Sequence, residues 1–549
     1  MKTANQGQIS VYLCAIIGVM LILIITVLQG IRIWEGKAKC RQALHGAVAG
    51  IQADYQPDLF RRYHLLAVDA TYYGRGEGYL EQRITDYLDY NLNPVKGWYQ
   101  YRLSEVAMVN PRTLIENDLY DFHRQIEDYM SIKAPALLAE QLIPTENTET
   151  EDSQQKQFMT GVDVLSERTR TLSGESGEEA ITADGPVTGK MIQALGLEEA
   201  LSMRENAAMD DLSVGADAGA EEISMEELLA MNLTEDGSIV DPREAIGQLN
   251  GSPLLEIVMP EQVADVSKEM IDLAETPSAS QKADTSWQEW NPGIDLTNAN
   301  SLSDWNLEEI LQESGKGGIQ GLSEVYGIAY AMDTFAYVGK EKDTEAHAFQ
   351  YEIEYLIMGR ESDYDNLTMI ARRLCLLRMI PNGAYAFTDS AMKEEALIMA
   401  TLILTPLGVP ELAEPVSYVL LGCWAYGESL LEVKELFAGK TVPLQKNETN
   451  WKLSLNGLKE LESQAVSEDN ESGEAGMNYE QYMMLLLATM PDSDRKYYRM
   501  LDVIQLNIQK TIPEFYIKNC MDEFTIQLQA QEADRVWNMQ ETGGYLQNK

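Results

Sequence analysis

Residues Ile9 to Leu28 form a run of 20 positions without a charge. At about 1.5 Å per residue such a helix is about 30 Å long, the thickness of a bilayer's hydrocarbon core. Thirteen of the 20 are Ile, Leu or Val, and at bilayer depth they contribute on the order of −4 to −8 kcal/mol toward insertion. A secretory signal would end in small residues at a cleavage site; Gln29-Gly30-Ile31-Arg32 is no such exit. The run therefore predicts a retained transmembrane helix, with Cys14 a small apolar residue inside it rather than a lipid attachment point. Beyond it, Ile31, Trp34, Ala38, Leu44, Val48 and Ile51 keep helical spacing, and no proline occurs before Pro57. One helix from Ile9 to Asp54 would be about 69 Å long. Residues 29–55 then form an amphipathic stalk; the alternative is the same helix packed on its own domain.

Residues 56–143 read as the first part of a folded body. Leu65 to Val68 predicts a short buried strand, and Gly78 to Asn91 a helix with Leu80, Ile84, Tyr87 and Leu88 on one face. Tyr99, Tyr101 and Leu103 alternate with polar residues as in a strand, and Leu114 to Met130 is helical again. Residues 305–549 form the main part. Ile319 to Val338 predicts a helix, and Tyr351 to Tyr355, apolar alternating with acidic, a half-exposed strand that leaves Glu352 and Glu354 in solvent. Asp363 or Asp365 caps a helix running to Met379, and Pro381-Asn382-Gly383 predicts a turn. Ala396 to Val409 is apolar but too short to cross a bilayer, which suits a core helix. Val416 to Phe437, Tyr479 to Leu487 and Tyr497 to Ile508 are helical. Phe524, Ile526 and Leu528 alternate with Thr525, Gln527 and Gln529, a strand pattern. The fold class is α+β, predominantly helical, with a small sheet built from strands distant in sequence.

Charge changes this picture in one place. The chain has 549 residues and a formal net charge of −45. Residues 151–300 carry 31 Asp and Glu against 8 Lys and Arg, about half of the whole imbalance, with few aromatics. Such a segment buries too little apolar surface to offset ordering at about 1–2 kcal/mol per residue. Residues 144–304 thus read as a long acidic, largely disordered insertion, with short pieces such as Glu221–Met231 and Leu254–Leu273 forming transient helices; 463–476 is a second acidic loop. The layout is a tip of residues 1–8, the span 9–28, the stalk 29–55, and a body of 56–143 and 305–549. The acidic balance excludes nucleic acid as a partner, since phosphate binding needs clustered Lys and Arg.

Chemistry is sparse. Gly439-Lys440-Thr441 resembles the end of a phosphate loop, but Lys434 stands where its first glycine belongs and a helix precedes it, so a helix C-terminus is the better reading. His45, His64, His123 and His347 never fall at metal-ligand spacing. No nucleophile motif occurs, and no catalytic, metal or cofactor residue is assigned. Cys375 and Cys423 read as buried free thiols; the state of Cys520 is open. What stands out is structural. Trp424 and Glu428 share one helix face, and a buried Glu428 needs a cation, for which Arg378 is the candidate. Arg378, Trp424 and Glu428 are expected to specify the core.

Several segments carry a resemblance. Gly7-Gln8-Ile9-Ser10-Val11-Tyr12-Leu13 opens the span, and Ala53-Asp54-Tyr55, Leu59-Phe60 and Tyr63-His64-Leu65-Leu66 follow it. Later come Glu354-Tyr355-Leu356, Cys423-Trp424-Ala425-Tyr426-Gly427-Glu428, Gly439-Lys440 with Val442-Pro443-Leu444, Trp451, and Tyr479-Glu480-Gln481-Tyr482. Together they resemble an uncharacterised family of membrane proteins from Gram-positive anaerobes, a domain of unknown function similar in architecture to TadE/TadG-like minor pilins and associated with Tad (Flp-type) pilus or secretion gene sets. The resemblance implies a cytoplasmic N-terminus and an extracytoplasmic body, although Arg32, Lys37, Lys39 and Arg41 after the span favour the opposite orientation. It implies pilin-like or secretion-system membrane proteins as partners beside the bilayer itself. In a prepilin Gly7 would be the cut site, with an acidic residue five positions on; Tyr12 stands there instead. A membrane-tethered sensor or ligand-binding module is the alternative function.

Overall fold

A computed structural model describes residues 5–93, 100–142, 253–280, 322–340, 347–405, 410–444, 446–455, 457, 461, 476–490, 493–532 and 535–546. Most of the expected insertion and of the loop 463–476 lies outside the described residues. The chain divides into two compact units, one of Met1–Tyr129 with Ile504–Lys549, the other of Met130–Val503.

The first unit is organised by one long helix, α1 (Asn5–Ala53), about 74 Å at 1.5 Å per residue. It matches the predicted helix nearly end to end and is long and apolar enough to cross a membrane. From Val11 to Leu28 its large apolar side chains are exposed all round. Beyond Gly36 the pattern changes: Cys40, Ala43, Leu44, Ala47, Val48 and Ile51 are buried, at spacings of three and one that keep them on a single stripe. That stripe packs with α3 (Glu77–Leu92) on an antiparallel sheet of β1 (Val68–Asp69), β2 (Arg102–Thr113), β5 (Cys520–Glu532) and β6 (Arg535–Gly544). β5 is the hub, pairing with the other three. Its Phe524, Ile526, Leu528 and Ala530 point into the core with Leu80, Ile84 and Leu88 of α3. The reading of residues 29–55 as an amphipathic stalk gives way here to its alternative: the distal half of α1 packs on its own domain, with one face covered by its own sheet.

Also in this unit, α2 (Pro57–Tyr63) is capped by Gln56, whose side-chain oxygen accepts from the Asp58 and Leu59 amides. The expected strand at Leu65–Val68 is reduced to the pair Val68–Asp69. The strand around Tyr101 runs on to Thr113, and the following helix α4 (Tyr120–Leu142) starts six residues later than Leu114. Asn117, Asp118 and Leu119, in consecutive left-handed conformation, delay it. β6 was not anticipated at all.

The second unit is helical. α10 (Ala413–Phe437) is its axis, buried nearly all round from Val419 to Phe437. α8 (Asp363–Thr388) and α9 (Ser390–Leu404) pack against it, and so does the short α5 (Leu254–Val258). α6 (Leu322–Thr334), α7 (Glu352–Met358), α11 (Tyr479–Ala488) and α12 (Ser493–Gln509) follow the predicted helices, α7 excepted. A two-stranded ribbon joins β3 (Val442–Pro443) to β4 (Gly476–Met477). α12, like α4, crosses the unit boundary in sequence.

Three expectations fail in this unit. Residues 253–280, assigned to the disordered insertion, are folded, with Leu255, Ile257, Val258 and Met259 buried. Tyr351–Tyr355 is not a strand. It enters α7, all seven residues of which are buried, Glu352 and Glu354 included. Pro381-Asn382-Gly383 is not a turn, because α8 continues through Pro381 to Thr388. A proline within a helix forfeits one backbone hydrogen bond; burial of Ile380, Asn382 and Ala386 on both sides holds the helix together.

Candidate functional site: a buried ionic network

The densest polar constellation lies where α8 and α10 meet the irregular segment 446–455. α10 reads as a core helix, yet Glu428, Glu432 and Glu435 are buried in it. Glu428 and Glu432 are one turn apart and therefore on one face. Two carboxylates at that spacing inside a core need cations and N–H donors.

Arg378 on α8 grips Glu432 with two parallel bonds, Nε to Oε2 at 2.8 Å and Nη2 to Oε1 at 2.9 Å. Its Nη1 donates to the Tyr482 hydroxyl at 3.1 Å. Asn382 Nδ2 donates to Glu432 Oε2 at 2.7 Å and to Ser429 Oγ at 2.9 Å. Lys446, whose side chain is fully enclosed, sits between the two acids, its Nζ 2.5 Å from Glu428 Oε1 and 2.9 Å from Glu432 Oε1. Glu428 also accepts the backbone amides of Lys452 at 3.1 Å and Leu453 at 2.8 Å. Lys452 Nζ reaches both oxygens of Glu435, at 2.6 and 2.8 Å. Trp424 and Trp451 both donate their indole N–H to the Leu453 carbonyl at 2.7 Å, the rings edge-on at 5.8 Å.

Three acids thus face three cations. Burial raises the Glu428 carboxyl above its ordinary range, with Glu432 adding to the effect and Lys446 opposing it. Burial pushes Glu432 the same way, but Arg378 and Lys446 outweigh it and hold the group below the usual range. Burial alone would lower the Arg378 guanidinium; Glu432 raises it further than burial lowers it.

The sequence-derived trio is therefore only half assembled. Glu428 is buried as expected, but its cation is Lys446, and Arg378 pairs with Glu432 one turn farther along. Trp424 lies beside Glu428 and anchors Leu453 rather than an acid. Glu432 and Lys446 were missed. The legible signal was a second glutamate four positions after the first on an apolar helix, which requires a second cation from elsewhere in the chain.

Chemically the network is a fastener. Glu428 supplies the acceptors that a neighbouring strand would give to the amides of 452 and 453, and so seats an extended segment on a helix. The device recurs in this unit. Glu352 accepts the Ala336 amide at 2.8 Å, and Glu354 the Val338 amide at 3.0 Å and the Tyr479 hydroxyl at 2.6 Å. Asp363 accepts the amides of Gln350 and Tyr351, and Asp502 that of Ser278. His347 pairs with Glu352 at 2.6 Å, and in the first unit His45 pairs with Glu541 at 2.7 Å. None of the five cysteines is in a disulfide; Cys375, Cys423, Cys40 and Cys520 are buried and Cys14 is exposed. Among the described residues no group of three or more His, Cys, Asp and Glu is placed to hold a metal ion.

No curated protein and no solved structure matches this sequence. Residues 232–532 match a family of unknown function, DUF5702. The match begins inside the segment first read as an insertion, takes in the folded piece 253–280 and the ionic network, and ends at the last residue of β5. It covers more than half of the 549 residues, and the chain belongs to the DUF5702 family.

Proposed function

We propose that this protein is a single-pass membrane protein whose body does structural or assembly work outside the cytoplasm, in association with a Tad-type pilus or secretion system of a Gram-positive envelope. The observation that carries this reading is α1. Its first part is apolar on every face and uncovered, which suits lipid and no aqueous environment. Its second part is the core of the first unit. Anchor and body share one continuous helix, the arrangement expected of a protein that works by where it holds its surface. The buried acids of the second unit support the same reading, because Glu428, Glu352, Glu354, Asp363 and Asp502 fasten backbone amides and Glu432 and Glu435 tie buried or half-buried cations. We assign no reaction to the chain.

The test is accessibility and company. Protease added to intact cells should cut the body and leave the span with the membrane; complete protection would overturn the orientation. Affinity purification from solubilised membranes should recover pilin-like or secretion-system membrane proteins. Repeated recovery of the chain without them would sink the assembly role.

A further inference from the structure

The side of the first unit's sheet that faces away from α1 has an unusual composition for so acidic a chain. β5 and β6 pair in unbroken register, and four consecutive outward pairs are Thr525 with Thr542, Gln527 with Gln540, Gln529 with Asn538, and Gln531 with Val536. Thr525 and Thr542 hydroxyls bond at 2.8 Å, and the Gln527 and Gln540 amides approach to 3.5 Å. Gln527, Asn538, Gln540 and Thr542 are exposed, and so is Val536 at 53%. On the adjoining strand, Ala107 and Val109 stand opposite Gln527 and Thr525 and extend the uncharged area. Among the described residues, the charges bordering it are Arg102 and Glu105 on β2, opposite Gln531 and Gln529, and Glu523, paired with Arg112, at the other end, so the uncharged area is widest at the Thr525 and Gln527 rungs. In a molecule of charge −45, this window is where a second equally acidic body can approach without burying like charges against each other. Stacked amide and hydroxyl side chains present donors and acceptors alike, so the face is complementary to itself.

Geometry says how two copies can meet. α1 and β6 run in the same direction: Gly36 lies against Trp537, His45 against Glu541 and Val48 against Gly543. Two copies inserted alike in one bilayer therefore present β6 pointing the same way. Edge-to-edge antiparallel pairing would turn one helix upside down. A two-fold axis parallel to the strands instead brings the two faces together with every rung at equal height, and it closes the assembly at two. We propose that the outer β5–β6 face is a homotypic docking surface, packing on the same face of a second copy anchored in the same membrane. The proposal rests on the reading of α1 as a membrane span. The footprint is about 24 Å by 14 Å from strand geometry, roughly 340 Å² per copy, against about 800 Å² per partner in a stable interface. The contact therefore depends on the two-dimensional confinement that a shared bilayer supplies.

The test uses the full chain in isolated membranes, in a Cys14→Ser background that leaves only the four buried thiols. Gln540→Cys with a short bismaleimide should give a covalent dimer, and Glu81→Cys on exposed α3 should give at least tenfold less. The Gln540→Cys dimer should vanish after dilution into detergent. Adding Gln527→Lys to both copies should abolish it, and mixing Gln527→Lys with Gln527→Glu copies should restore it. Cross-linking at position 540 no better than at position 81 would overturn the proposal. So would protection of residue 540 from a monofunctional maleimide without any dimer, which would assign the face to another occupant such as a neutral glycan. Carbonate extraction of the same membranes reads the span separately: release of the chain would overturn the anchor and the pairing together, whereas retention without cross-links would overturn the pairing alone.

Discussion

At the scale of single residues, the second unit uses acids as ties. Glu354 illustrates the cost. Its Oε1 accepts the Val338 amide and the Tyr479 hydroxyl, while Oε2 is buried and has no partner among the described residues. Burial pushes the carboxyl up from 4.5 to about 7 against those hydrogen bonds. The folded chain thus holds a proton that the unfolded chain releases between about pH 4.5 and pH 7. The stability that this group contributes is complete below the lower value and lost as the pH rises to the upper one, on the order of 3 kcal/mol. Glu354→Gln keeps the Oε1 acceptor and removes the titration. Urea unfolding of the variant should match wild type at pH 4.5 and exceed it at pH 8; parallel pH profiles would sink this account. Arg378 and Glu432 allow a second measurement. Removing either partner alone strands a buried charge and should cost about 3–5 kcal/mol, and a double-mutant cycle should couple Arg378 strongly to Glu432 and negligibly to Glu428. That distinction was not legible in the sequence. Spacing on α10 placed Glu428 and Glu432 on one face, but which of them meets Arg378 depends on the register between two helices, and Lys446 arrives from a segment with no periodicity.

At the scale of elements, periodicity was reliable where one face is buried and misleading where both are. α1, α3, α11 and β5 followed their apolar spacing. Tyr351–Tyr355 looked like a half-exposed strand because acids alternate with apolar residues, yet α7 buries every side and gives its acids backbone donors. β6 escaped notice because its inward positions are Trp537, Met539, Glu541 and Gly543, only two of them large and apolar. Gly543 stands where any side chain would collide with Val48 on α1, a Cβ there falling 2.4 Å from Cγ1. Gly36 does the same for Trp537, at 2.9 Å from the ring. Gly36→Leu should therefore push α1 off β6 and cost about 1–3 kcal/mol. The loss should show as a lower melting temperature followed by tryptophan fluorescence, and Trp537→Ala should recover part of it; an unchanged melting point would contradict the packing.

At the scale of the whole molecule, five cysteines report on three environments without any engineering. Cys14 is exposed on the apolar part of α1, whereas Cys40, Cys375, Cys423 and Cys520 are buried in the two units. In intact membranes a charged, water-soluble maleimide should label none of them. Detergent should release Cys14 alone, and only denaturant the other four. Labelling of Cys14 before detergent would refute the bilayer location. Three of the buried thiols are pushed up rather than activated: burial, with Glu532 adding, raises Cys40 to about 11, and burial raises Cys375 and Cys520 well above the usual thiol range. Slow reaction is expected of them even when the units breathe.

The continuous helix has a mechanical corollary. No proline, glycine pair or loop interrupts α1 between Val11 and the stripe that starts at Cys40, so there is no swivel between its uncovered apolar portion and the sheet. Any tilt or turn imposed on the first part is delivered directly to β5 and β6. Twisting the apolar part turns the first unit's sheet, and a neighbour that grips that sheet can in turn rotate the apolar part.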